Sequence, residues 1–262
     1  SRTPQAEVYA QIESDLTAAA GVLDWTNPVK GRLTKGVALS LHGKALLYQN
    51  KFDEAAVILD RVIDEGPYDL IPNYEDLFSV INEGHAETIF DVEYSGAEGG
   101  SYGCLICLEG NAAPGFHGIR QYNGPVYGDG NSYNMPTEKL YNSYAAGDIR
   151  RDASVLDIDA FIAAQPNSSE ITYAKGGGGH SGYYNNKYIK RQGEIGLPDN
   201  DLTSPVNYKV IRFADVLLMA AEAHNRASTP NDAKALAYLK RVRDRVNMPE
   251  ITSGGSQLTQ DI

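Results

Sequence analysis

Two pairs of amphipathic stripes at helical spacing, set far apart in the chain, constrain this sequence more than any other feature. Within residues 31–66, Leu33, Val37, Leu41, Ala45 and Tyr48 fall on one stripe, and Phe52, Ala55, Leu59 and Val62 on a second. Only Gln49-Asn50-Lys51 separates them, a turn short enough to make the two helices antiparallel neighbours. Far downstream, Ile211, Ala214, Leu217, Leu218 and Ala221 form one stripe, and Ala235, Leu239, Val242 and Val246 another, closed by Pro249. A further helix is expected from Thr3-Pro4 to Ala20, with a capping hydroxyl, proline at the first helical position, and Val8, Ile12, Leu16 and Ala19 on one face.

The first pair resembles the tetratricopeptide pattern, because Gly43 and Ala55 fall where two closely crossing helices leave no room for a large side chain. Helical repeats of that kind follow one another directly, so the long gap between the pairs implies an inserted region. The division expected is residues 1–90 for the N-terminal helices and first pair, 91–205 for a loop-rich insertion that carries the ligand-binding region, and 206–262 for the second pair. The fold class is mainly α, helix pairs carrying an irregular insertion with short β-strands.

Within the insertion and at its edge, residues 88–94 alternate as a strand does, and residues 183–190 form a second β-leaning run. Residues 137–146 read as a short helix with a hydroxyl cap, ended by Gly147. Residues 95–134 and 174–182 are rich in Gly, Asn, Ser and Tyr and read as long, ordered loops. Cys104 and Cys107 lie in such a loop without the strand-to-helix context of a redox pair or a second pair to complete a zinc site, and read as a local disulfide or two ordinary thiols. A formal net charge of −11 and the absence of a basic patch argue against nucleic acid as a partner. No run of eighteen apolar residues occurs to cross a bilayer. The last residues, Leu258 to Ile262, read as the opening of a helix, and the chain reads as a piece of a longer protein.

A search for catalytic signatures finds none that holds. The histidines at 42, 85, 117, 180 and 224 have no pairing at helical spacing that would bind zinc. Gly179-His180-Ser181-Gly182-Tyr183 approaches a nucleophile elbow, but Tyr183 stands where the sharp turn needs glycine. Lys175 precedes four glycines, the reverse of the order that cradles phosphate. Asp157 with Asp159, and Asp199 with Asp201, offer paired carboxylates, yet neither has the glycine and distal glutamate of a calcium loop. Glu222 reads as a solvent-side or ion-paired helix residue, and Trp25 as a packing anchor.

Tyrosine is the unusual residue, seventeen against six Phe and one Trp. A pyranose offers a CH-rich face to an aromatic ring and hydroxyls to polar side chains, so loops mixing Tyr, Asn, Asp, Arg and Gly suit sugar binding. Residues 101–133 carry this mixture, and the candidate ligand-binding residues are Tyr102, Phe116, His117, Arg120, Tyr122 and Tyr127. The alternative for each ring is that it pins a long loop to the core.

Four stretches in order are similar to the SusD/RagB family of outer-membrane nutrient-binding lipoproteins. They are Gly31-Arg-Leu-Thr-Lys-Gly-Val-Ala-Leu-Ser-Leu41 with Tyr48-Gln-Asn-Lys-Phe-Asp-Glu-Ala55; Met135-Pro-Thr-Glu-Lys-Leu140 with Gly147-Asp-Ile-Arg-Arg-Asp152, where Ile149 replaces the usual proline; Gly182-Tyr-Tyr-Asn-Asn-Lys-Tyr188; and Val210-Ile-Arg-Phe-Ala-Asp-Val-Leu-Leu-Met-Ala-Ala-Glu222. The resemblance implies a tetratricopeptide-like scaffold at the extracellular side of the outer membrane, attached through an N-terminal lipid outside this stretch, with a further C-terminal helix also outside it. It implies binding of oligosaccharides without hydrolysis and without a cofactor, calcium being left open, and delivery to a SusC-like TonB-dependent transporter. Two other readings stand beside it: an interaction scaffold of the transporter complex without glycan affinity, and a glycosidase using an acidic pair.

Overall fold

The computed structural model describes residues 2–96, 103, 110–175, 180–194 and 202–262. Tyr102, Cys104, Cys107, Asp199, Asp201 and the glycines after Lys175 lie outside the described residues. Along the chain come α1 (Gln5–Val22), α2 (Lys35–Tyr48), α3 (Phe52–Glu65), β1 (Thr88–Val92), α4 (Ala113–His117), β2 (Ile119–Arg120) and β3 (Asp129–Gly130). Then follow α5 (Glu138–Asn142), α6 (Arg150–Ser154), β4 (Val155–Asp157), α7 (Ile158–Ala163), β5 (Tyr183–Asn185), β6 (Tyr208–Arg212), α8 (Phe213–Arg226), α9 (Asp232–Asp244) and α10 (Gly255–Asp261). The protein is mainly helical, and it divides into two compact units: Ser1–Pro72, Gly84–Val92 and Lys209–Ile262 form one; Asn73–Glu83 and Glu93–Tyr208 form the other.

In the first unit, α1, α2, α3, α8 and α9 pack in succession, with α10 against α8. The turn between α2 and α3 follows from Asn50 at φ 58°, which lets the N–H groups of Asn50 and Lys51 return to the carbonyls of Leu47 and Leu46. Gly43 is required at the crossing of these helices, because a Cβ there would lie 2.4 Å from Cδ2 of the fully buried Leu59. The core collects Leu39, Ala55, Leu59, Val62, Phe213, Ala214, Leu217 and Ala221, each large aliphatic side chain contributing about 1.5–3 kcal/mol of burial. The structure differs from the sequence reading in several places: α1 has Pro4 as its N-cap with no side-chain cap, and α5 ends at Asn142 rather than Ala146. Leu33 and Tyr48, at the ends of the first stripe, are 51% and 69% exposed, whereas α2 buries Gly36 through Ser40 on every side, because α1, α3 and α8 all pack on it. Ile211 lies not in the helix but in β6, which pairs with β1.

Charges are buried in this unit as well. Glu87, fully enclosed, accepts from Arg212 Nη1 at 2.8 Å, from Arg245 Nη1 at 2.5 Å and from the N–H of Ile71 at 3.2 Å. Asp91 and Lys209 pair at 2.6 Å with side chains 1% and 3% exposed. Asp60 on α3 receives Lys234 Nζ at 2.6 Å and Tyr238 Oη at 2.8 Å from α9, and lies 3.0 Å from His224 Nε2 on α8. Burial alone pushes the Asp60 carboxyl up, but its hydrogen bonds from Lys234, His224 and Tyr238 hold it below the ordinary carboxylate range.

The second unit has little regular structure. Its core is Ile119, Tyr122, Tyr127, Leu156, Ile158, Ile171, Tyr184 and Ile189. β4 and β5 pair antiparallel, Leu156 opposite Tyr184, and β2 and β3 pair parallel, Ile119 opposite Asp129. The short helices start on side-chain caps, the Thr137 hydroxyl accepting from Leu140 N and the Asp157 carboxylate from Ala160 N. The N–H of Tyr94 donates to Asn207 Oδ1 at 2.8 Å, which ties the two ends of the inserted stretch together.

Candidate functional site

Residues 110–134, where the composition places a candidate site, form one braced loop. Asn111, 3% exposed, anchors its start: its N–H donates to the carbonyl of Ser204 and its Nδ2 to that of Val206. Pro114 lies in the first turn of α4. The N–H groups of Asn131, Ser132 and Tyr133 then fold back onto the carbonyls of Gly115, Gly118 and Phe116. Gly130 is needed for this approach, since a Cβ there would lie 2.4 Å from the Cα of Gly118. Asp129 Oδ1 accepts from the N–H of Gln121 and of Gly130, and the Ser132 hydroxyl from the N–H of Arg120. Gln121, Val126, Ser132 and Asn134 all hold positive φ, 74° at the β-branched Val126. Such strain persists only where the surroundings over-determine the backbone, and it clusters at functional sites.

The candidate rings divide by accessibility. Tyr122 and Tyr127 are 7% and 6% exposed and belong to the core, their rings edge-on at 6.1 Å and Tyr127 edge-on to Phe161 at 5.0 Å. The Tyr122 hydroxyl donates to the carbonyl of Pro125 at 2.6 Å. Both rings pin the loop, and burial pushes both phenols up. Phe116 is half-buried and its ring lies 6.1 Å from that of Tyr133, which is 61% exposed. Arg120 is exposed on the same loop. His117 is half-buried, and burial lowers its pKa against the hydrogen bond to the Tyr188 backbone, so the ring is neutral at pH 7. Its Nδ1 is buried without a hydrogen-bond partner among the described residues. Of the candidates, Phe116 is therefore paired with the exposed Tyr133, which residue type alone did not single out; Arg120 lies exposed on the same loop, and His117 is half-buried. The pairing of Tyr133 with Phe116 depends on the fold-back of residues 131–133, which no local pattern records.

The arrangement offers aromatic faces, one guanidinium and loop polar groups: equipment for holding a polyol. Among the described residues no group of three or more His, Cys, Asp or Glu is placed to hold a metal ion, and no helix is long and apolar enough to cross a membrane. Asp157 and Asp159, the described acidic pair, are engaged otherwise: Asp157 caps α7, and Asp159 accepts from Tyr173 at 2.8 Å and pairs with Lys175 at 2.9 Å.

Residues 86–261 match the sequence profile of the SusD family. SusD-like protein P2 of Formosa agariphila is 31% identical over 258 residues, 95% of this chain and 48% of that protein. A SusD-like protein of Bacteroides ovatus is 28% identical over 269 residues, 94% of this chain and 46% of that one. Among solved structures, a laminarin-binding SusD-like protein matches with a TM-score of 0.87 at 32% identity, across 99% of this chain and 58% of that one. Surface glycan-binding protein A from Bacteroides thetaiotaomicron, solved with laminarihexaose, matches in fold with a TM-score of 0.84 at 23% identity, across 97% and 56%. The chain thus spans about half the length of the curated relatives it matches.

Proposed function

Because the chain belongs to the SusD family, we propose that it serves in nutrient uptake at the outer surface of a bacterial outer membrane, holding oligosaccharide without cleaving it and presenting it to a SusC-like TonB-dependent transporter. The observation that carries this reading is the pairing of half-buried Phe116 with exposed Tyr133, on a loop that also exposes Arg120 and is braced by buried Tyr122 and Tyr127. A preformed loop loses little entropy on binding, and a sugar ring stacks on an exposed aromatic face while its hydroxyls meet Arg120 and the loop amides. The likeness to a laminarin-binding protein over nearly the whole chain supports a β-glucan as the first ligand to try. Tyr102, on the same inserted stretch, belongs to the proposed site by its chemistry. Outer-membrane attachment through a lipid and partnership with the transporter come with the family reading.

Calorimetric titration with neutral hexasaccharides (laminarihexaose, cellohexaose, maltohexaose) tests it. At least one is expected to bind, and Phe116→Ala to weaken that binding about tenfold, equivalent to ~1.4 kcal/mol. Failure of every neutral sugar to bind sinks the reading. Co-purification with a TonB-dependent transporter tests the partner separately.

A further inference from the structure

The second unit also contains a cavity of about 260 Å³ away from this loop's exposed rings, lined by Glu75, Phe78, Ser79, Asp152, Asn186 and Arg191. This is near the lower end of the ~300–1,000 Å³ typical of small-molecule sites. It far exceeds the ~30 Å³ share of one water, and it is ring-sized. Arg191 Nη2 donates to the carbonyl oxygen of Asn186 at 2.7 Å and reaches its Oδ1 at 3.3 Å. Arg191 Nη1 is buried without a hydrogen-bond partner among the described residues. A buried donor left unmatched is costly, and the Arg191 head is held in place by its Nη2 bonds to Asn186.

Asp152, another lining residue, is linked through Arg151 to an aromatic stack. Asp152 accepts from Arg151 Nε at 2.7 Å and Nη2 at 3.3 Å. The Arg151 guanidinium lies 4.8 Å over the Tyr141 ring, and Tyr141 stacks on Tyr183 at 4.4 Å with 21° between the planes. Asn186 Nδ2 donates to the carbonyl of Asp152 at 2.9 Å and ties these two lining residues together. The lining therefore mixes two carboxylates, a guanidinium, an amide and a hydroxyl. An anion meets Glu75 and Asp152, and a cation meets Arg191. A neutral polyol satisfies all of them, because each hydroxyl both donates and accepts.

The geometry points to a second carbohydrate subsite, in which the cavity takes one neutral sugar ring and the Tyr141–Tyr183 stack offers its face to an adjoining ring. It rests on the carbohydrate-binding reading above and adds a site made of other residues. The full chain and its Ala153→Phe, Tyr183→Ala and Phe116→Ala variants are titrated with the neutral hexasaccharides and with hexagalacturonate, circular dichroism confirming that each variant folds. Ala153 also lines the cavity, so Ala153→Phe fills it. Ala153→Phe and Tyr183→Ala are each expected to weaken the best neutral ligand about tenfold, with hexagalacturonate bound at least as much more weakly by the unaltered chain. Should Ala153→Phe fail to fold, Tyr183→Ala decides alone. Wild-type affinity in the folded variants, with loss in Phe116→Ala only, overturns the subsite and leaves the first site standing. Equal binding of hexagalacturonate overturns it as well, and no neutral binding by the unaltered chain overturns both readings.

Discussion

In the first unit the polar contacts that fix the fold run between long helices: Asp60 on α3 is held from α8 and α9 at once. In the second, tyrosines do that work for a chain with little regular structure; Tyr184, fully buried, places its hydroxyl 3.2 Å from Ser132 and 3.0 Å from His180. The first unit also buries charge outright around β1 and β6, where losing one partner of Glu87 or of the Asp91–Lys209 pair strands another. The second adds hydrogen bonds between neutral groups, such as those of Tyr184, to ion pairs like Asp159–Lys175, and the loss of one neutral bond is milder. Rigidity is thus bought differently in the two places.

Substitutions can break or sharpen this contrast. The largest effect is expected for Glu87→Ala, which leaves Arg212 and Arg245 without their carboxylate and should cost about 3–5 kcal/mol in denaturant unfolding. A cost under about 1 kcal/mol would remove buried charge from the explanation of the first unit. Asp60→Ala should cost roughly 2–3 kcal/mol, since three donors lose their acceptor. The Asp60 carboxyl is held below its unfolded value, so its contribution is full above about pH 4 and fades as pH falls through the lower folded value. Acid titration of the Asp60→Ala chain should accordingly show a shallower loss of stability below pH 4 than the unaltered chain. Gly43→Ala pushes a methyl group against Leu59 and should cost about 1–3 kcal/mol. Tyr184→Phe in the second unit should cost only ~0.5–1.5 kcal/mol, the worth of its neutral hydrogen bonds.

How much of this was legible in the sequence follows the same division. Helical periodicity is local, so α1, the α2–α3 hairpin and the α8–α9 pair stood out, as did the strand at residues 88–92 and the Thr137 cap. Ile211 misled because a strand running straight into a helix presents its last apolar residue at a spacing that also fits the helix. In the second unit, side-chain chemistry marked a loop rich in aromatic and polar residues, but accessibility decides which of its rings reach the surface. Tyr122 and Tyr127 are indistinguishable from Phe116 and Tyr133 by composition, and only tertiary packing, Tyr127 against Phe161 in one case and Tyr133 folded back to Phe116 in the other, separates core from surface. The cavity was invisible for a stronger reason: its walls come from residues 75–79, 152–153 and 186–191, which no spacing rule connects.

The pairing of β1 with β6 has a further consequence. The chain departs after Val92 and comes back at Lys209 on neighbouring strands, fastened by the buried Asp91–Lys209 pair. Loop-closure entropy grows slowly, by ~0.6 kcal/mol for each doubling of length, and here the frame itself holds the two ends in place. What lies between them can therefore lengthen, shorten or change at little thermodynamic penalty while the supporting frame is kept.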